Sequence, residues 1–310
     1  MPEKKLRKYQ GVIPAFYACY DKDGNIDPKA VQALTGYFIE KGVQGLYVNG
    51  SSGECIYQSV EDRKIVLENV MAVAKGKLTV INHVACNNTK DSIELAKHAE
   101  ELGVDAIAAI PPIYFKLPDY AVADYWNAIS QAAPKTDFII YNIPQLAGTA
   151  LSPSLYQTML ENPRVIGVKN SSMPVQDIQI FSSLGAADHI VFNGPDEQFL
   201  GGRMMGAAAG IGGTYGVMPE LFLSLNQLIA EKEIAKAYEL QCKINDIISV
   251  LVSGHGNMYA VIKEVLRINE GLDIGSVRSP LAPLIESDLA ICQEASNLII
   301  SAKAEFCEGR

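Results

Sequence analysis

A lysine at position 169 closes the apolar run Val165-Ile166-Gly167-Val168. A strand-forming segment that ends this way delivers an amine to the edge of a core. An amine drawn out of water gives up its proton more readily, and its neutral form attacks a carbonyl to make a Schiff base. Tyr141 lies 28 residues upstream (169 − 141), at the end of another short apolar run, Phe138–Tyr141. A phenol beside an amine nucleophile carries protons between a substrate hydroxyl and solvent. The turn Gly50-Ser51-Ser52-Gly53-Glu54 offers backbone N–H groups and two hydroxyls with little steric cover, which suits a small anion such as a carboxylate. Its spacing is not that of a phosphate-binding P-loop. Asp196 and Glu197 follow Gly194 at the start of a helix-forming stretch. Acids are favoured there by the helix dipole, and the pair can also accept hydrogen bonds from a polyol.

Metal and disulfide chemistry find no support in the spacing. His83, His98, His189 and His255 form no HxH or HExxH pattern, and the six cysteines form no CxxC pair. The thiols read as reduced, in a cytoplasmic protein. A net charge of −9 and the absence of a basic run argue against nucleic acid and anionic membrane as partners. The start, MPEKKLRKYQG, has no apolar stretch after its lysines, so a signal peptide is not expected. The longest uncharged run, between Asp137 and Glu161, is broken by Asn142, Pro144, Gly148 and Pro153. It cannot serve as one membrane helix of about 20 apolar residues.

These residues must be held by elements, and the pattern of elements is regular. Short β-type runs are expected at Val12–Phe16, Gly45–Val48, Leu78–His83, Ala106–Ile110, Phe138–Tyr141, Val165–Val168, Ile190–Phe192 and Ala207–Ile211. Helical patterns fall between them: one opened by Asp27-Pro28, then Val60–Ala74, Thr89–Leu102, Tyr120–Ala132, Pro153–Leu160, Val175–Phe181, Asp196–Met205 and Pro219–Ala230. Eight strands alternating with helices predict a closed (β/α)8 TIM barrel over residues 1–230. An open doubly wound sheet is the alternative, but it calls for a Gly-rich loop after the first strand, where this chain has PAFYACYD. Beyond residue 230 the strand signals stop. Glu231–Ser253, Asn257–Asn269 and Pro283–Phe306 predict three helices, so residues 231–310 read as a helical appendix packed on the barrel.

Barrel chemistry sits at the C-terminal ends of the strands. The expected ends carry Asn49 to Glu54, Pro111 to Tyr114, Tyr141 to Pro144, Lys169 to Ser171, Asn193 to Glu197 and Gly212 to Tyr215. Polar residues that a core would not choose thus gather on one rim.

Taken in order, GSSGE, YNIP with Gly148, GVK, the Gly194-x-Asp196-Glu197 loop and GIGGTY resemble the pyruvate-dependent class I aldolases of the N-acetylneuraminate lyase and dihydrodipicolinate synthase family. The similarity runs from GVIPAF to the C-terminal helices. It implies a Schiff base between Lys169 and the 2-oxo carbon, with no metal or diffusible cofactor. Tyr141 would carry the proton, and Ser51 and Ser52 would hold the pyruvate carboxylate. Ser51 would also belong to a proton relay that Tyr114 completes across a subunit interface. Ser171, Gly194, Asp196 and Glu197 would meet the rest of the substrate. Members are commonly homotetramers.

Two positions speak to the branch. The synthase branch resembles a version of the YNIP stretch with an arginine where this chain has Leu146, and a leucine cannot pair with a second carboxylate. Asp196 and Glu197 match the lyase branch. The expectation is cleavage of N-acetylneuraminate, a sialic acid, to N-acetylmannosamine and pyruvate. A synthase, another 2-keto-3-deoxy sugar acid aldolase and a non-catalytic effector-binding barrel are the alternatives. The resembling lyases carry serine in the GIGSTY version of the last motif, where this chain has Gly213. The missing hydroxyl predicts weaker sugar binding.

Overall fold

The computed structural model describes residues 4–185 and 187–307. Eight parallel strands form one sheet: β1 (Gly11–Pro14), β2 (Gly45–Val48), β3 (Thr79–His83), β4 (Ala106–Ala109), β5 (Asp137–Asn142), β6 (Val165–Asn170), β7 (Ile190–Asn193) and β8 (Ala209–Gly212). Their spatial order is β1-β8-β7-β6-β5-β4-β3-β2. A parallel bridge between Ala15 and Tyr47, just past the end of β1, completes the ring. This is the (β/α)8 barrel that the alternation predicts.

Helices α1 (Pro28–Lys41), α2 (Val60–Ala74), α3 (Thr89–Leu102), α4 (Asp119–Ala132), α5 (Pro144–Ala147), α6 (Pro153–Leu160), α7 (Gln176–Leu184), α8 (Phe199–Met204) and α9 (Pro219–Ala230) follow the strands. Local chemistry sets their ends. Asp27 caps α1 by accepting from the Lys29 and Ala30 amides, and left-handed Gly42 ends it at φ 75°. Ser59 and Asp62 form a capping box on α2. Three more helices follow among the described residues: α10 (Ile234–Leu251), α11 (Met258–Glu270) and α12 (Asp288–Phe306).

Some boundaries differ from expectation. The stretch from Asp196 is a 3-10 turn, Asp196–Gln198, before α8 begins, because Asp196 is tied sideways to the end of β8. The last helix starts at Asp288, not at Pro283. Its carboxylate accepts from the amides of Ile285, His255 and Gly256, which holds the preceding residues out of the helix. The short helix α5 was not foreseen.

Two apolar layers result from strand alternation. On β5, Phe138 and Ile140 face the outer layer between strands and helices, while Ile139 and Tyr141 face the barrel interior. A 3-10 helix, Lys4–Tyr9, adds Leu6 and Tyr9 to that interior layer. Each fully buried large apolar side chain contributes about 1.5–3 kcal/mol.

Strand β6 breaks the alternation. Phe138 pairs with Val165, but the next residue, Ile139, pairs with Gly167, so Ile166 is an extra residue. This is a bulge. Ile166 therefore lies inside the barrel and Val168 outside, although two residues apart in a plain strand share a face. Gly167 makes the bulge at φ 151°, and a Cβ there would stand 1.8 Å from the Ile190 carbonyl oxygen. Only glycine fits. The bulge resets the phase, so Lys169 stands level with inward-facing Tyr141.

Candidate active site

Lys169 is buried at 4% exposure. Its Nζ lies 3.9 Å from the Tyr141 ring centroid and 4.1 Å from that of Tyr47. Among the described residues no carboxylate pairs with it. Two aromatic faces hold the amine, and it is not consumed by an ion pair. Tyr141 meets Tyr47 edge-on at 5.6 Å and His83 edge-on at 5.9 Å. Tyr47 was not singled out from the sequence. It stands on the interior side of β2, its hydroxyl buried and without a hydrogen-bond partner among the described residues. The signal was an aromatic at an inward position two residues past Gly45. A Cβ on Gly50 would stand 2.6 Å from the Tyr47 ring, so that glycine admits the ring.

Burial, and then the Arg63 guanidinium, hold the His83 imidazole well below the usual histidine range. It is therefore a neutral wall. Arg63 itself is buried and donates to the carbonyls of His83 and Ala85, at 2.6 and 2.8 Å.

The serine turn is a 3-10 segment, Ser51–Gly53, closed by Glu54 in the left-handed region at φ 54°. Ser51 is half-buried and Ser52 buried. The Glu54 carboxylate accepts from Lys263 Nζ and from the Arg278 amide, each at 2.9 Å. Both side chains of the Glu54–Lys263 pair are sealed from water, at 0% and 2% exposure. One turn before Lys263, Tyr259 places its hydroxyl 2.9 Å from Ser52 Oγ. Helix α11 thus grips the turn at two points. Neither contact was legible, because more than 200 residues separate the partners (259 − 52 = 207).

Beyond Lys169, Ser171 donates its amide to the Asn142 carbonyl at 2.7 Å. A Cβ on Gly194 would stand 2.0 Å from Ser171 Oγ, so these two expected substrate positions are immediate neighbours. Asp196 and Glu197 differ. Asp196 is buried, and one oxygen, Oδ2, accepts from both the amide and the hydroxyl of Thr214 at 2.6 Å. Burial raises its pKa to about 6, against the opposing effect of the Thr214 bonds. It braces the end of β7 to the end of β8. Glu197 is exposed, with its side chain uncommitted among the described residues. Two glycines of GIGGTY have packing reasons: a Cβ on Gly210 would stand 2.4 Å from Phe199 and Tyr215, and one on Gly212 would stand 2.1 Å from both Asp196 Oδ1 and the Tyr215 ring.

Tyr114 is not brought to Lys169. It sits in the left-handed region at φ 84°, is 90% exposed, and its ring packs edge-on against Phe115 at 5.0 Å. It borders an open groove of 710 Å³ lined by Asn87, Pro112, Phe115 and Tyr125. Leu146, on α5, is also exposed.

The wild-type sialic acid aldolase of Ruminococcus gnavus superposes with a TM-score of 0.96 at 67% identity, covering 97% of this chain and all of its own. A Clostridium difficile protein solved in complex with mannosamine gives 0.86 at 28% identity, covering 96% and 99%. The curated N-acetylneuraminate lyase of Mediterraneibacter gnavus is 67% identical over 303 residues, 98% of this chain and 96% of its own. The profile of the dihydrodipicolinate synthetase family matches residues 8–296. A barrel with a buried lysine and tyrosine side by side at its strand ends, matched along nearly its whole length, belongs to the dihydrodipicolinate synthetase family.

Proposed function

We propose that this chain is a class I aldolase that cleaves N-acetylneuraminate reversibly to N-acetylmannosamine and pyruvate. The observation that carries the reading is the Lys169 amine, buried between two aromatic faces beside the Tyr141 phenol, with no carboxylate partner among the described residues. Identity of 67% to an N-acetylneuraminate lyase supports the substrate. The exposed leucine at position 146 supports the lyase branch over the synthase branch, since it offers no cation to a second carboxylate.

The substrate carboxylate seats on the Ser51–Ser52 turn, which sets C2 of the open-chain sugar acid before Lys169. The amine adds to C2, and water leaves to give a protonated imine. The C3–C4 bond then breaks and its electron pair flows into the imine. Tyr141 takes the proton of the C4 hydroxyl, so C4 departs as the aldehyde of N-acetylmannosamine. The enamine is protonated at C3, and water hydrolyses the imine to release pyruvate and the free lysine. Positioning of the three reacting groups and fixed dipoles about the developing charge supply most of the rate. The covalent imine is the electron sink, so the reading assigns no cofactor.

Ser171, Gly194 and the exposed Glu197 line the sugar end in this reading, with Asp196 as their brace. Residues 1–230 form the catalytic barrel and 231–310 its extension. The exposed Tyr114 ring and its apolar neighbours suit a subunit interface, in which each Tyr114 completes the relay through Ser51 in a partner of a homotetramer. Among the described residues no helix is long and apolar enough to cross a membrane, and the cysteines are free. The free thiols fit the cytoplasmic setting that the reading assigns.

Borohydride trapping tests the chemistry. Pyruvate plus borohydride should add one reduced adduct, mapped to Lys169, and Lys169→Ala should lose both adduct and turnover while keeping its fold. An adduct on another lysine overturns the mechanism. Pyruvate should condense with N-acetylmannosamine and barely with aspartate semialdehyde, and the reverse preference overturns the branch.

A further inference from the structure

Gly213 lies at the meeting point of the two halves of the site, and its surroundings are unusual for a position that lacks a side chain. Its φ lies outside the left-handed region, so the backbone does not demand glycine. A Cβ built there would stand 3.2 Å from Ser52 Oγ and 3.2 Å from Tyr259 Oη. The space a serine would take is therefore bordered by a hydroxyl from another element. Tyr259 comes from the first turn of α11, where the Asn257 cap accepts its amide at 3.0 Å. Its ring leans on Tyr17 at 6.1 Å, and Tyr17 donates its hydroxyl to the Gly213 carbonyl at 2.7 Å. Lys263, one turn on, locks the same helix to Glu54. The Tyr259 hydroxyl is thus held in place from three sides. Burial, with the nearby Tyr141 and Asp196, keeps this phenol protonated.

We propose that Tyr259 is a positioning and specificity residue of the aldolase site, its hydroxyl standing in for the serine that Gly213 lacks and linking the carboxylate end of the substrate to the sugar end. The proposal rests on the aldolase reading above. Its direction follows from donor counting. Ser52 must donate to a bound carboxylate, so within the 2.9 Å contact Ser52 accepts and Tyr259 donates. The phenol oxygen is then left as an acceptor for a sugar hydroxyl. A chain results, from sugar hydroxyl to Tyr259 to Ser52 to carboxylate, in which each bond polarises the next.

Four enzymes decide it: wild type, Tyr259→Phe, Gly213→Ser and the double variant, each measured for kcat, KM for N-acetylneuraminate, half-saturating pyruvate in borohydride trapping, and Tm. Loss of one neutral hydrogen bond weakens binding roughly two- to tenfold. Tyr259→Phe should raise both KM and half-saturating pyruvate by about that factor, with kcat little changed, since the contact is made equally in ground and transition states. Gly213→Ser alone should raise KM, because its Cβ crowds two hydroxyls. In the Tyr259→Phe background the same serine should restore KM to within about twofold of wild type, a coupling that a double-mutant cycle reads directly. Unchanged KM and pyruvate capture in Tyr259→Phe overturn the proposal. So does a serine with the same effect in both backgrounds, or a fall in Tm with no rescue, which would mark a packing role. If wild type fails to cleave N-acetylneuraminate, the substrate reading falls. The pyruvate arm then still decides whether Tyr259 positions Ser52.

Discussion

The end of β6 and the start of α11 each deliver one polar side chain to the barrel mouth, and they do so by different physics. On β6 the device is local: one extra residue and one glycine shift the strand's phase, and the lysine two positions later turns inward. On α11 it is distant: a buried ion pair fixes a helix from the C-terminal extension against a barrel loop, and that helix carries a hydroxyl to its mark. The strand sets which way the Lys169 amine points. The helix sets how firmly the Ser51–Ser52 turn is held. Faults in the first should therefore appear in kcat, and faults in the second in KM and stability.

The largest effect is expected at the partner of the β6 lysine. Tyr141→Phe keeps the ring that faces Lys169 and removes only the hydroxyl. General acid–base help is typically worth about 10²–10⁴-fold, so kcat should fall by that much while pyruvate trapping survives in part. A kcat within a few fold of wild type would make the phenol a wall and not a proton carrier. Next comes Gly167→Ala. Its methyl meets the Ile190 carbonyl, so the bulge must move and the lysine with it. A misplacement of about 1 Å costs about 10²-fold, which should appear in kcat and in the rate of trapping. Normal turnover in a folded Gly167→Ala protein would break the phase argument.

Lys263→Met probes the other region. It leaves the sealed Glu54 carboxylate without its cation, which costs about 3–5 kcal/mol of stability in denaturant unfolding. Adding Glu54→Gln should recover much of that loss, because a neutral pair no longer demands solvation. Equal stability of the single variant and wild type would show that α11 is held by its apolar face alone. The smallest effect concerns Asp196, whose folded pKa of about 6 lies above the usual value of about 3.9. Its contribution is fully present below the unfolded value and is lost as pH rises through about 6. Removing it with Asp196→Asn should flatten the Tm profile between pH 4 and 7 by the equivalent of about 1–3 kcal/mol. An unchanged slope would mean that another group titrates there.

Legibility followed the range of the interactions. The strand ends and most helix limits follow from short-range patterns, and they were readable, as was the placement of Lys169 and Tyr141 at strand ends on one rim. The reason the lysine points inward was not, because plain alternation from Ile166 sends residue 169 outward and only the Ile190 carbonyl forces the bulge. Glycine at 213 read as a missing hydroxyl, whereas the structure puts Tyr259 beside it. The α11 pattern shows which face is apolar but not which loop that face will meet. Asp196 and Glu197 look alike in sequence. Burial and Thr214 make one a brace and leave the other exposed.

The N-terminal 3-10 helix has a consequence for traffic. Leu6 and Tyr9 fill the barrel interior opposite the catalytic rim, and the Tyr9 hydroxyl is fastened to Asp137 and to the Asp105 carbonyl. On the proposed chemistry, substrate therefore reaches the Lys169 amine over the strand-end rim, away from this plug. The three-carbon acid stays bonded to the lysine until the imine is hydrolysed, so in cleavage the sugar fragment leaves first, and in condensation the acid binds first. Product-inhibition patterns should carry that sequence of arrivals and departures, with pyruvate contending for the free lysine and the sugar fragment for the imine-bearing one.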